Sequence, residues 1–352
     1  MQGLIREMNM KLRSLWHRTP CVVAVAICAV LMLSATGLVA VAQEPSTLLV
    51  LRPQPKSVPS DKNRTVSPGK GANVVVPLIS SQVSEIKIGG KPASITAWTP
   101  LLNGPTKLQL VVLFDPQLRI GLGKQFDEIK ALFNSLPSNV EIAVGILLQG
   151  KVVIKQPFTT DRTLAGNALH LPTMEDVLNP KNVSRGLSGL GDLVNHWPDP
   201  DPKKVRAVLL FTNGGEGDSA NNLEHGGAIP QIALLRAGIV PFTVFYINLD
   251  LEPDGVSYRL DPLTGKAGYG GQDNLDYQAW MTNGAALYYP HWMTTTFTPL
   301  LNMFYSILSS EAVVTVTVKG SGLQRLDIKS NSDEIKVVGP DEVVIGNVLL
   351  TK

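Results

Sequence analysis

Two nearly unbroken apolar runs, Leu108 to Phe114 and Val205 to Phe211, each stop at a polar turn: Asp115-Pro116 after the first, Thr212-Asn213-Gly214 after the second. A strand apolar on both faces fits the interior of a parallel sheet covered by helices; a sheet with one face in water would alternate instead. In open α/β sheets the binding residues gather just beyond the carboxyl ends of such strands. The polar residues that close the two runs are therefore the first candidates for function.

The intervening sequence supplies the helices. Phe126, Ile129, Phe133 and Leu136 recur at helical spacing, and Pro137 ends that helix. Val140 to Leu148 and Lys151 to Lys155 flank Gln149-Gly150 and read as a hairpin-like pair. A helix from about Ser188 to Trp197 leads through Pro198-Asp199-Pro200-Asp201-Pro202 into the second apolar run, and a helix Ile229 to Ala237 with a strand Ile239 to Ile247 repeats the unit. A last helix, Thr294 to Ser309, puts Phe297, Leu300, Leu301, Phe304, Ile307 and Leu308 on one face. The expected fold class is α/β: a doubly wound, mostly parallel sheet over residues 107–310, with small β modules at both ends. The first module (72–106) has strands at Asn73 to Leu78, Glu85 to Ile88 and Ala93 to Trp98, the last two joined by Gly89-Gly90-Lys91-Pro92. The second (311–352) has strands at Ala312 to Lys319, Leu323 to Lys329 and Glu342 to Leu350. Residues 43–71, rich in Pro, Ser, Lys and Gly, read as a mobile linker.

The N-terminus reads as an export signal. Arg6, Lys11, Arg13 and Arg18 precede an apolar stretch from Cys21 to Leu38, and Ala40-Val41-Ala42 fits a small-x-small cleavage site. A signal peptide over 1–42 implies a periplasmic or secreted protein; the alternative is an uncleaved membrane anchor, because the apolar stretch is long for a signal core. Cleavage removes both cysteines, Cys21 and Cys28, and with them any thiol nucleophile, disulfide or thiolate metal site. It also removes four basic residues and Glu7, taking the formal charge from +2 to −1. Such a balance offers no electrostatic capture of nucleic acid or of an anionic membrane.

This order of elements, with Asp115 ending one strand and Thr212-Asn213-Gly214 another, resembles the von Willebrand factor type A (VWA) domain. More narrowly it is similar to the exported VWA-related proteins abundant in acidobacteria, through Ile88-Gly89-Gly90-Lys91-Pro92-Ala93-Ser94-Ile95, Gln156-Pro157-Phe158-Thr159-Thr160-Asp161 and the C-terminal strands. The resemblance implies a protein-interaction module whose metal-ion-dependent adhesion site lies at those strand ends. The family holds a divalent cation with Asp-x-Ser-x-Ser, a Thr from a second loop and an Asp from a third: oxygen ligands with compensating charge. Here Gln117 and Arg119 stand where the two hydroxyls belong, and Asn213 replaces the third-loop carboxylate. The second loop aligns at Ser188, with Ser184 as the alternative. One carboxylate then remains beside a guanidinium, so no metal and no cofactor is expected. Arg119 either neutralises Asp115 or accepts a partner's carboxylate in the cation's stead. The expected partner-binding residues are Asp115, Gln117, Arg119, Ser188, Thr212 and Asn213.

Other motifs fall short. Asp250-Leu251-Glu252-Pro253-Asp254-Gly255 with Asp261 imitates a calcium loop, but Pro253 interrupts it and the closing Glu is missing, so it reads as a surface acidic loop within an insertion, Asp250 to Asn274. Gly186-Leu187-Ser188-Gly189-Leu190 lacks the last glycine of a nucleophile elbow, and Ser188 reads as a helix start. His170, His196, His225 and His291 are scattered, and Gly121-Leu122-Gly123 lacks the third glycine of a dinucleotide fingerprint. Tyr288-Tyr289, Trp292 and Phe297 read as a seam under the last helix. No catalytic constellation emerges. Two classes stay open: an exported module that binds a protein partner, and an envelope hydrolase with an unrecognised site.

Overall fold

The computed structural model describes residues 46–56, 65–66, 77–115, 122–170, 173, 186–212, 242–248, 259–260, 267–268, 279, 282–288 and 296–346, all within one compact unit, Pro45–Lys352. The segment read as an export signal, 1–42, therefore lies outside the described residues, as do the helix expected at Ile229 to Ala237 and most of the expected insertion. No helix among the described residues is long and apolar enough to cross a membrane.

Strands β1 (Ser46–Pro55), β2 (Thr65–Val66), β3 (Val83–Ile88), β4 (Lys91–Pro92) and β5 (Ser94–Pro100) come first. There follow β6 (Leu108–Phe114), helix α1 (Leu122–Ser135), β7 (Val140–Leu148), β8 (Lys151–Thr159), α2 (Arg162–Asn167), α3 (Gly186–Asn195) and β9 (Val205–Thr212). Next are β10 (Phe242–Asn248), β11 (Arg259–Leu260), β12 (Ala267–Gly268), β13 (Ala285–Tyr288) and α4 (Thr298–Ser310). The chain closes with β14 (Ala312–Thr317), β15 (Gly322–Ser330), β16 (Ile335–Val338) and β17 (Glu342–Ile345).

The result is a mixed α/β fold. A seven-stranded sheet runs β2-β13-β10-β9-β6-β7-β8, parallel throughout except for the β7–β8 hairpin. Central β6 explains its own apolar run. Leu108, Leu110, Val112 and Phe114 pack with α1 and α4 on one face, while Val111 and Leu113 pack with Leu190, Leu193 and Trp197 on the other. Neither face meets water, so alternation would have no use. Edge strand β8 instead shows Lys151, Lys155 and Pro157 to solvent, which discourages pairing with a stray strand. Its turn with β7 puts Gln149 and Gly150 at φ of 57° and 76°, as a two-residue hairpin requires.

The flanking strands do not form two modules; they form one sandwich. One sheet runs β16-β1-β14-β5 and the other β17-β15-β3-β4, and a shared core of Leu49, Leu51, Ile86, Ile88, Val314 and Ile345 joins them. This corrects two further expectations. The stretch read as linker contains β1, whose Leu49 and Leu51 are fully buried. Its partners lie far along the chain, Leu49 opposite Val314, so no local periodicity betrays it. The Gly89-Gly90 turn joins β3 only to the two-residue β4, after which β5 crosses to the opposite sheet and pairs with β14. The strand expected at Asn73 to Leu78 lies mostly outside the described residues, and Leu78 itself is not in a strand.

Apart from the two-residue edge strand β2, the α/β body is thus inserted into the sandwich between β5 and β14, and specific contacts fix the two crossings. Leu101 donates its backbone N–H to the Glu311 carbonyl at 2.9 Å, tying the outgoing chain to the returning one. The Asn139 amide donates to the carbonyls of Leu101 and Thr106, both at 3.0 Å, and holds the outgoing turn. Within that turn Gly104 approaches Pro100 so closely that a Cβ would sit 2.1 Å from the Pro100 carbonyl oxygen. Helix α4 takes its N-terminal cap from α1: Glu128 accepts the Thr298 N–H at 2.5 Å, the Thr298 hydroxyl at 2.5 Å and the Thr296 hydroxyl at 2.6 Å. Burial raises the Glu128 carboxyl, but these bonds outweigh it and hold it below the ordinary value.

Candidate functional site

The register of β6 and β9 builds the site. Phe114 stands opposite Phe211, so Asp115 and Thr212 leave the sheet side by side at its carboxyl end. The Asp115 N–H donates to the Phe211 carbonyl at 2.9 Å, which extends the ladder one residue beyond β6. The Thr212 hydroxyl donates to Oδ2 of Asp115 at 2.6 Å, and both side chains are 0% exposed. Such a bond to a carboxylate away from water contributes about 1.5–3 kcal/mol. Aromatic rings support the pair. Phe114 stacks on Phe211 at 5.1 Å, Phe211 on Phe297 at 6.0 Å, and Phe126 of α1 meets Phe114 edge-on at 6.0 Å.

Strand order gives this position its meaning. From β6 the chain builds outward through β7 and β8 on one side, then returns to build β9, β10 and β13 on the other. The strand order reverses between β6 and β9, and open α/β sheets bind ligands beyond the carboxyl ends of strands at such a reversal. Register adds Asn248, which ends β10 opposite Thr212. The sequence reading missed Asn248. Its only signal was its place at the polar end of an apolar run, Phe242 to Ile247.

Of the six expected site residues, Asp115 and Thr212 come together. Ser188 is exposed in the first turn of α3, two residues past the helix's first residue, so it is not the helix start it was read as. Gln117, Arg119 and Asn213 lie outside the described residues, as does the alternative Ser184, and so do Asp250, Glu252, Asp254 and Asp261 of the calcium-like loop. Among the described residues no three His, Cys, Asp or Glu side chains gather as metal ligands would.

The opposite end of the sheet is polar too, but its groups satisfy one another. Gln109, fully buried in β6, accepts from the Trp197 indole at 2.7 Å and donates to Asp199 at 2.9 Å. Lys204 bridges Asp199 at 2.7 Å and Glu141 at 2.8 Å, and Lys107 reaches Glu141 at 2.9 Å. The Arg206 guanidinium lies 5.2 Å over the Trp197 ring. Burial raises the Glu141 carboxyl, yet Lys204 and Lys107 hold it below its ordinary value; the Lys204 bond does the same for Asp199. Burial opposes the charge on Lys204, but Asp199 and Glu141 outweigh it and raise its pKa. Apart from the buried Nε of Arg206, which has no hydrogen-bond partner among the described residues, these groups engage one another and form a clasp across β6, β7 and β9 rather than a binding surface.

No family model matches the chain, and no curated protein sequence matches it either. Among solved structures it is similar to an aerotolerance-related membrane protein from Bacteroides fragilis, at 14% identity over 57% of this chain and 98% of that one, with a TM-score of 0.36. It is also similar to the N-terminal domain of TFIIH p34, at 12% identity over 57% of this chain and 97% of that one, with a TM-score of 0.39. A third is the ArnB paralog VWA2 from Sulfolobus acidocaldarius, at 8% identity over 85% of this chain and 75% of that one, with a TM-score of 0.36. Likenesses this distant assign neither partner nor activity.

Proposed function

We propose that this chain is an exported protein-binding module of VWA type, in which the strand-end face around Asp115 and Thr212 contacts a partner in the periplasm or envelope. One observation carries the reading: a fully buried Asp–Thr pair closes the two central strands where the strand order reverses. The sheet order, the antiparallel third strand β8 and helices on both faces support the doubly wound VWA arrangement. The adhesion site is degenerate in this reading. In this reading Arg119, four residues past Asp115 in the sequence, supplies the fixed charge that replaces the cation and receives a partner carboxylate in a two-point pair, and Gln117, Ser188 and Asn213 are the other partner-binding residues.

The test places a photocrosslinking residue at 119, at 188 or at exposed Leu323 on the sandwich, in the full chain expressed in a Gram-negative host. One and the same partner adduct from 119 and 188, absent at 323, is expected. Adducts from 323 alone, or none from 119 and 188, would refute the strand-end face. Export is read separately by N-terminal sequencing: Gln43 at the terminus of periplasmic protein is expected, and Met1 retained in washed membranes would make the leader an anchor.

A further inference from the structure

The joint between sandwich and α/β body holds a buried carboxyl group that no role assigned so far uses. Glu311 lies between the end of α4 and the start of β14, is 2% exposed, and neither of its carboxyl oxygens has a hydrogen-bond partner. Its backbone forms the joint, because its carbonyl accepts from Leu101 and its N–H donates to Leu308. Beside it Arg52 of β1 donates to the Gly284 carbonyl at 3.1 Å, and Asn283 donates its amide to the Val50 carbonyl at 3.2 Å. The Asn283 Oδ1 is a second buried acceptor without a donor. Among the described residues Arg52 is the one charged group that bears on Glu311; Leu101, Asn283 and Ser310, contributed by the neighbouring segments, do not titrate.

An ionised carboxylate with no donor cannot stay buried without a large cost, whereas a neutral acid can. We propose that Glu311 is a proton-operated catch: protonated, it lets the two bodies close on each other at this joint, and on ionisation it must reach water or Arg52, which loosens the Leu101–Glu311 crossing. Burial pushes the Glu311 carboxyl up to about 8, with Arg52 opposing. The folded chain therefore keeps this proton to higher pH than the unfolded chain, whose carboxyl titrates near the ordinary 4.5. Stability from this group is complete below that value, falls as pH rises toward 8, and is level above.

Hydrogen exchange of the full chain, corrected for intrinsic rates, tests this at the Leu101 amide between pH 6.5 and 9.5. Protection should fall by about tenfold for each pH unit between 6.5 and 8 and be level above 8. Glu311→Gln keeps the shape without the charge and should show no such step. A parent without the step, or a variant with the same step, overturns the proposal. An infrared difference spectrum of the parent chain needs no variant: the C=O stretch of a protonated carboxylic acid should be present at pH 6.5 and gone at 9.5. Its absence at pH 6.5 would equally overturn the proposal.

Discussion

Replacing Lys204 with Met tests whether the clasp at the amino end of the sheet is structural. Met keeps the length and most of the apolar stem while removing the charge, so the change isolates two bonds, to Glu141 at 2.8 Å and to Asp199 at 2.7 Å. The two are unequal. The Asp199 side chain is 54% exposed, so water replaces its bond at little cost. The Glu141 side chain is only 11% exposed and keeps Lys107 as its single remaining cation, so its loss dominates: about 1–2 kcal/mol for one charge-assisted bond in a half-closed site. Urea unfolding at pH 7 should show a lower midpoint with unchanged slope. Both carboxyls are held below their ordinary values, so their contribution is present above about pH 4.5 and disappears as pH falls through the depressed folded values. The gap between parent and variant should narrow over that range. A variant with the parent's midpoint at pH 7, or a gap that persists undiminished in acid, would refute the clasp.

Glu128→Gln should cost about 1 kcal/mol at pH 7 by loosening the α4 cap, and the cost should shrink below pH 4.5, because the depressed carboxyl stabilises only while ionised; urea melts across pH read both. Gly104→Ala should lose about 1–3 kcal/mol, since the Pro100 carbonyl cannot yield, whereas Gly191→Ala in α3, where a Cβ meets nothing within 4 Å, should gain about 0.5–1 kcal/mol; paired denaturation curves decide. Thermal melts in excess EDTA and in millimolar Mg²⁺ or Ca²⁺ should coincide, and a clear cation-dependent rise in Tm would restore a metal to the site.

The α/β body was legible because its central strands β6, β7 and β9 are buried on both faces. β6, β9, the β7–β8 hairpin, α1 and α4 each carry a pattern complete within about ten residues, and burial on two sides or on one helical stripe writes itself locally. The sandwich was not legible as one body. β1 owes its stability to β14 and β16, more than 260 residues away, and its Pro-bounded sequence reads as linker without them. At the site, Asp115 and Thr212 were readable as the polar ends of apolar runs, but their hydrogen bond depends on the β6–β9 register, which no local pattern encodes. The Glu128 cap, the Asn139 clamp and the Glu311 joint are all long-range pairings of residue types that are ordinary on any surface.

Strand polarity separates what the two ends of the molecule can do. The outgoing crossing delivers the chain to Leu108, the amino end of β6, and the Arg52 and Asn283 contacts meet the amino end of β13. The Asp115–Thr212 pair lies at the other end of the same strands, about 23 Å away for seven residues of extended chain. The sandwich therefore grips the sheet opposite the proposed binding face and leaves that face clear of the joint. Among the described residues Glu311 has no direct hydrogen bond to the Asp115–Thr212 pair, so its proton acts by changing how the two bodies are held. It follows that Glu311→Gln should leave crosslinking from position 119 intact while abolishing the pH step at Leu101. Loss of that adduct in Glu311→Gln, under conditions where the parent gives it, would mean that joint and face are coupled through the strands themselves.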